Sequence, residues 1–354
     1  MAMQGFGLST GRLNKFKGEI LKHAVADEVL GRAGRQVKFP RNNSDTYVAR
    51  RWLPYGATAS SPNTFFQNTT AVDRGNLIAQ AHLVQEGVTP APESITPQDV
   101  TVVMQQYSCL YGFTDKTFDM YEDDIPGEMQ KQVGERITFV NEQIIFGALK
   151  ASTNQYYGGG GTSRTTTVGP ITLGLIRKMV KSLQANHGKP VNSMLKASAM
   201  YGTDAVSPGY SVYCHTDLEP DIRDLPGFVP IEKYASGTPQ PNEIGKVERL
   251  RFFTSPEFPC LQDQGGSVGS TNLQSLTGTS IDLYQFIVTA ADAWSQVAVR
   301  GKESLNPTFL PTGQKSKSDP HGQRGYAGAI WWKAVMLENS QWLAVGNVGV
   351  KNLT

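Results

Sequence analysis

Apolar residues recur at steps of four, four, four, three and four: Ile125, Met129, Val133, Ile137, Val140 and Ile144. This spacing predicts one amphipathic helix over residues 122–150, with Glu128, Lys131, Gln132, Glu135 and Asn141 off the stripe. Asp123 and Asp124 stand where an N-cap belongs, and Pro126 suits a first turn. Just ahead lies a charge-free run, residues 100–114, that reads as a strand. The helix would extend roughly 43 Å and the strand roughly 50 Å, at about 1.5 and 3.3 Å per residue. Mean elements are far shorter, about 11–12 residues for a helix and about 5–6 for a strand. Elements too long to bury themselves in one subunit point to a chain built to lie against neighbours, although the helix by itself also fits the core of one large domain. Gly134 and Gly147 each weaken the helix by up to about 1 kcal/mol relative to Ala and suit close approach of another backbone.

The same patterning places the other elements. Leu13, Phe16, Ile20 and Ala24 predict a helix over residues 11–32, with Thr10 as its N-cap. Residues 37–54 read as extended, turning at Asn42-Asn43-Ser44-Asp45. No period survives from residue 54 to 97, where Pro54, Pro62, Pro90, Pro92 and Pro97 intervene. An aperiodic excursion this long is uncommon inside a compact domain. With extended segments on both flanks it predicts a two-stranded arm with a broad tip. Gly158-Gly159-Gly160-Gly161 and the Ser/Thr run after it predict a hinge-like linker and a domain boundary. A second helix is expected over residues 172–187, with Leu175, Ile176, Met179, Val180 and Leu183 as its stripe and Gly188 as its stop. Strands are expected over residues 210–214, 248–254, 281–290 and 295–300, with a short helix over 216–224. A Gly/Ser/Gln-rich insertion occupies 262–278, and the aromatic stretch 326–350 reads as strands.

Composition narrows the function classes. The 354 residues suffice for one large or two ordinary domains, and 18% charged is low against about 25% in typical proteins. Net charge is only +2, but residues 1–41 hold eight basic against three acidic side chains, a net +5, so a basic arm could face a polyanion. Cys109, Cys214 and Cys260 are scattered and odd in number, which suits a reducing cytosol and not a disulfide scaffold. Neither a signal-peptide apolar core nor a run of about 18 apolar residues is found. No catalytic, cofactor-binding or metal motif emerges. The five histidines lie far apart, and Cys214-His215 would point to opposite sides of a strand. The glycine run lacks the Lys-Ser/Thr pair of a phosphate loop. Helix capping and the helix dipole explain Asp123-Asp124 better than paired catalytic carboxylates do. Arg50-Arg51-Trp52 mixes cation and aromatic, as nucleic-acid surfaces and intersubunit contacts both do.

Several segments, in this order, resemble the major capsid proteins of tailed bacteriophages, in the branch typified by large podovirus coat proteins. They are Lys38-Phe39-Pro40-Arg41-Asn42-Asn43 with Arg50-Arg51-Trp52-Leu53-Pro54; Leu83-Val84-Gln85-Glu86-Gly87-Val88-Thr89-Pro90; residues 100–107 and 176–190; and Asn242-Glu243-Ile244-Gly245 leading to Arg251-Phe252. The last is Ser318-Asp319-Pro320-His321-Gly322-Gln323-Arg324-Gly325-Tyr326 with Trp331-Trp332-Lys333-Ala334. Glu86-Gly87-Val88-Thr89-Pro90 and Gln323-Arg324-Gly325-Tyr326 are the most specific. The resemblance spans residues 35–345; the glycine run and the 262–278 insertion depart from it.

The resemblance implies an α+β, Hong Kong 97-type capsid fold. Residues 1–36 would be an N-terminal arm and 37–115 an extended E-loop. Residues 116–160 would be a peripheral domain with a long spine helix, 161–322 an axial domain, and 323–354 the return to the peripheral sheet. It also implies self-assembly into hexamers and pentamers of an icosahedral virion shell in a bacterial host. Portal, scaffolding or decoration partners and non-specifically contacted DNA would accompany it, with no membrane, cofactor or catalysis. The intersubunit contacts would include Arg50, Arg51, Trp52, Glu86, Val88, Arg324 and Tyr326. Three alternatives compete: a cellular nanocompartment shell of the same fold, a hydrolase with an unmarked acidic site, and a sequence-independent DNA-binding protein using the basic arm.

Overall fold

The computed structural model describes residues 27–353 apart from 41–43, 61, 64–81, 91, 93, 122–123, 192–207, 235–239, 270 and 300–304. Three sheets and one long helix organise it. A five-stranded sheet has the order β1 (Arg35–Phe39), β11 (Trp294–Val299), β13 (Arg324–Leu337), β12 (Leu305–Leu310), with β4 (Gln105–Thr114) also paired to β13. A seven-stranded sheet runs β5 (Gln155–Tyr157), β14 (Leu343–Val348), β10 (Tyr284–Thr289), β6 (Tyr210–His215), β9 (Leu250–Ser255), β8 (Glu243–Val247), β7 (Phe228–Pro230). The third is a two-stranded ribbon of β2 (Thr46–Trp52) and β3 (Pro97–Val103). The short helix α1 (Asp115–Met120) leads to α2 (Ile125–Lys150); α3 (Leu173–Ala185) and α4 (Glu219–Arg223) follow.

Helix α2 forms where the periodicity predicts it. The Asp124 side chain caps it by accepting from the Gly127 N–H, and Pro126 sits in the first turn; Asp123 lies outside the described residues. Its N-terminal half lays Val133, Ile137 and Val140 on Cys109, Ala329 and Trp331 of β4 and β13. Its C-terminal half buries a different face, Glu142, Ile145, Phe146 and Leu149. Val133 and Glu142 are separated by about two and a half turns, so they point to opposite sides. The second face meets Tyr213, Phe253, Phe258, Ile287 and Val345 of the seven-stranded side, with the Phe146 and Phe258 rings stacked at 4.7 Å. The single stripe predicted through Ile144 is therefore two stripes, and the helix bridges two sheets.

Glu142 is why the second stripe escaped the sequence pattern. It is fully buried, yet its carboxylate accepts the backbone N–H groups of Leu30 (2.9 Å) and Gly31 (2.6 Å). Gln296 holds the other side of the same turn, donating to the carbonyls of Leu30, Gly31 and Ala33. Burial pushes the Glu142 carboxyl above its ordinary range, against the pull of these N–H groups. The helix predicted over residues 11–32 lies outside the described residues as far as residue 26. From residue 27 to 34 the chain forms turns, with Leu30 fully buried.

Four further elements differ from the sequence reading. The strand predicted over residues 100–114 is two strands: the buried Met104 marks the change, and β3 pairs with β2 whereas β4 pairs with β13. The glycine run is a tight turn, not a hinge. Gly159 has φ 65°, and a Cβ there would lie 2.8 Å from the Gly169 nitrogen. Helix α3 ends with His187 in the left-handed position (φ 58°), one residue before the predicted Gly188; the His187 and Gly188 N–H groups bond to Gln184 and Leu183. The stretch 326–350 is shared between sheets, β13 in the five-stranded and β14 in the seven-stranded one. The latter is buried on both faces, α3 packing Leu175, Ile176, Met179 and Leu183 against Val212, Phe252, Phe286 and Val288.

Replacing Gly159 by Ala is expected to cost about 1–3 kcal/mol in urea unfolding, because it combines a strained φ with a backbone clash. For Glu142 the folded-state pKa is raised, so the folded state binds the extra proton. Wild-type stability is then expected to rise as pH falls from neutral through that raised pKa toward the ordinary carboxylate range of about 4.3. Glu142→Gln is expected to lack this rise, and unfolding midpoints measured against pH for both chains check it.

Candidate intersubunit surfaces

Strand β13 sets out the first surface. Its residues alternate between two faces, as a strand must. Trp331 and Ala329, with Tyr107 and Cys109 of β4 beside them, face α2 and are buried or half-buried. Trp331 Nε1 donates to Asn141 Oδ1 of α2 at 3.0 Å. The opposite face carries Tyr326, Gly328, Ile330 and Trp332, joined by Leu110 of β4 and Leu310 of β12 through the strand register. Farther along, the same face is buried at Ala334 and Met336, but here it opens to solvent: Leu110 is 60% exposed and Trp332 39%. Tyr326 stands opposite Gly112, whose missing side chain leaves room for the ring.

The second surface is the ribbon. Period two splits the Arg50-Arg51-Trp52 triplet between faces. Tyr47, Ala49 and Arg51 of β2, with Gln98, Val100 and Val102 of β3, turn toward the body, where Phe39, Met104, Val297, Ala334 and Met336 receive the apolar ones. The two-stranded arm expected to lie against a neighbour thus keeps a half-buried underside on its own body. The outer face shows Val48, Val103 and Trp52, the last 58% exposed. Arg50 stands opposite Asp99 and makes a bidentate pair at 2.7 and 3.0 Å. The Arg50 hydrogen bonds hold the Asp99 carboxyl below its usual range. Arg51 is a different group: burial pulls its guanidinium down from the ordinary value, and it donates to Gln98 Oε1 and the Glu338 carbonyl.

The remaining predicted residues lie elsewhere. Glu86 and Val88 are exposed, in a turn closed by the Val88 N–H on Gln85 O, with Gly87 at φ 78°. Arg324 begins β13, and its N–H donates to Asp319 Oδ2. Arg51 reaches Glu338, just past the other end of the same strand. At about 3.3 Å per residue these ends are roughly 45 Å apart, so the predicted residues do not form one site within a subunit. Sequence reasoning named Tyr326 but missed Leu110, Ile330 and Trp332. The adjacent tryptophans were the available signal, since neighbours on a strand cannot both be buried beneath one helix.

Among the described residues, no group of three or more His, Cys, Asp or Glu is placed to hold a metal, and no helix is long and apolar enough to cross a membrane. Trp331→Ala is expected to cost about 3–5 kcal/mol in denaturant unfolding of the isolated subunit. Trp332→Ala and Trp52→Ser are expected to stay within about 0.5 kcal/mol of wild type, as surface substitutions do.

No protein-family model matches the sequence, and no curated protein matches it. Solved structures do. The capsid of Ralstonia phage GP4 aligns over 100% of both chains at 11% identity with a TM-score of 0.64. The cyanophage Pam1 capsid aligns over 99% of this chain and 100% of its own at 11% identity and TM-score 0.60. The holo-SrpI encapsulin complex of Synechococcus elongatus aligns over 100% of this chain and 99% of its own at 8% identity and TM-score 0.54. The chain has the Hong Kong 97-type fold of these capsid structures.

Proposed function

We propose that the chain is the major capsid protein of a tailed bacteriophage, assembling as hexamers and pentamers into an icosahedral shell around packaged double-stranded DNA. The observation that carries this reading is the bare outer stripe of β13, Tyr326, Ile330 and Trp332 with Leu110 beside it, in a chain whose fold is that of phage capsids. A single copy leaves this apolar strip and the outer face of the ribbon in water. Copies arranged head to tail cover both, because a closed ring repeats one heterologous contact. Each contact can remain weak, since closure raises the effective concentration for the last one.

On this reading the ribbon and its tip, residues 46–103, serve as the E-loop, offering Val48, Trp52 and Val103 to a neighbour, while β1 and β4 at the ends of the expected 37–115 span belong to the five-stranded sheet, and α2 is the spine of the peripheral domain. The five-stranded sheet makes up the rest of that domain and the seven-stranded sheet with α3 the axial domain, so the expected boundaries 116–160, 161–322 and 323–354 shift, β11 and β12 going to the first and β5 and β14 to the second. The N-terminal arm, residues 1–36, brings basic side chains within reach of packaged DNA, bound without sequence preference. Portal and scaffolding or decoration proteins complete the particle, which forms in the host cytoplasm. The role is structural, with no catalysis. The likeness to an encapsulin complex supports a second reading, a cellular nanocompartment shell.

Electron microscopy of the purified chain is expected to show closed shells, and a chain lacking residues 55–95 is expected to fold but build none. Normal shells from that deletion would contradict the E-loop assignment. A particle loaded with a protein cargo and free of DNA in its native host would favour the nanocompartment.

A further inference from the structure

The ribbon is tied to its own subunit by a few polar contacts at the connection between β13 and β14. Asn63 and Asn339 exchange amide hydrogen bonds in both directions, Asn63 Nδ2 to Asn339 Oδ1 at 3.1 Å and Asn339 Nδ2 to Asn63 Oδ1 at 2.6 Å. Asn63 Nδ2 also donates to Gln341 Oε1 at 3.0 Å. Beside them Arg51 Nη1 donates to the Glu338 carbonyl at 3.1 Å, while its Nε holds Gln98 Oε1 at 2.8 Å. Both asparagines are buried, at 7% and 4% exposure.

Two features make this tie reversible. Amide hydrogen bonds are replaced by equivalent ones to water, so the net hold of each is modest. The body-side partners Glu338, Asn339 and Gln341 lie between two strands, and β2 and β3 pair only with each other. The ribbon therefore lifts without breaking a ladder hydrogen bond of either larger sheet. Its underside, Tyr47, Ala49, Val100 and Val102, is half-buried, whereas Phe39, Val297, Ala334 and Met336 beneath it are closed off by the ribbon and become exposed when it lifts.

We propose that the ribbon is a strap, held shut on its own subunit by the Asn63–Asn339 amide pair and released when the subunit engages a second copy. Shut, it withholds Tyr47, Ala49, Val100 and Val102 and covers the strip of the body beneath them. Open, it offers both faces to a second copy. The isolated subunit is thereby kept from associating through the ribbon underside before a neighbour is in place. The closed state rests on this structure alone; what the open ribbon meets rests on the assembly reading.

Hydrogen exchange of the isolated subunit, followed by light scattering during assembly, tests the strap. A two-stranded ribbon is marginal by itself, so release exposes its amides. Asn63→Ala, which removes three side-chain hydrogen bonds, and Asn339→Ala, which removes the two between the asparagines, are each expected to speed exchange over residues 46–52 and 97–103 at least roughly ten-fold. Residues 210–215 and 284–289 are expected to exchange as in wild type, and assembly is expected to start sooner. Unchanged ribbon exchange in Asn63→Ala overturns the strap. Faster exchange with unchanged or slower assembly overturns its gating role. Asn339 also accepts from the Gln341 N–H, so if Asn339→Ala loosens the larger sheet, Asn63→Ala decides. Wild-type subunits that never form shells would defeat the assembly reading and leave the exchange comparison to decide the closed state.

Discussion

The packing of α2 across β4 and β13 is the contact on which the rest of the structure depends. It gives the five-stranded sheet one dry face, through Val133, Ile137 and Val140 over Cys109, Ala329 and Trp331. On the other face the ribbon covers Ala334 and Met336, and among the described residues the stretch from Tyr326 to Trp332 is left open. The C-terminal half of the same helix turns its opposite side to the seven-stranded sheet, so one rigid rod fixes both sheets and cannot serve either fully. The chain is closed at its centre and leaves apolar side chains exposed at its margin.

The root of the N-terminal segment depends on the same rod. Glu142 is buried because it supplies acceptors for the Leu30 and Gly31 N–H groups, and Gln296 supplies donors for the carbonyls of that turn. A charge placed in a core is tolerated only when hydrogen bonds compensate it. Here they do so by anchoring the chain where it enters β1. The ribbon is anchored more lightly, through neutral amides and a half-buried underside. The subunit thus grades its attachments, from a fully buried clamp at residue 30 to a polar tie at residue 63.

Much of this was legible in the sequence because local rules and tertiary packing agreed. The α2 helix, the Asp124 cap and the α3 stripe follow from period and capping, and β6 from its short apolar run. What escaped was set by distant partners. Glu142 reads as a surface residue because its donors lie 111 and 112 positions away. The break at Met104 carries no Gly or Pro, since the strand only changes partners there. The four glycines read as a flexible linker, yet they serve the close approach of Gly159 to Gly169. Of the side chains on the open faces, Trp52 and Tyr326 were named from the sequence; Arg51 was grouped with Arg50 although alternation sends them to opposite faces. Leu110 and Ile330 showed no signal, because an exposed apolar residue on a strand is indistinguishable by pattern from a buried one.

The central claim is that copies of this chain cover the apolar margin that one copy leaves bare. Hydroxyl-radical footprinting of Trp332 and Trp52 against protein concentration tests it most directly. Strong oxidation of both in the dilute subunit, with protection once particles form and Trp331 protected throughout, is the result expected. Equal oxidation of Trp332 and Trp52 in subunits and particles would contradict it.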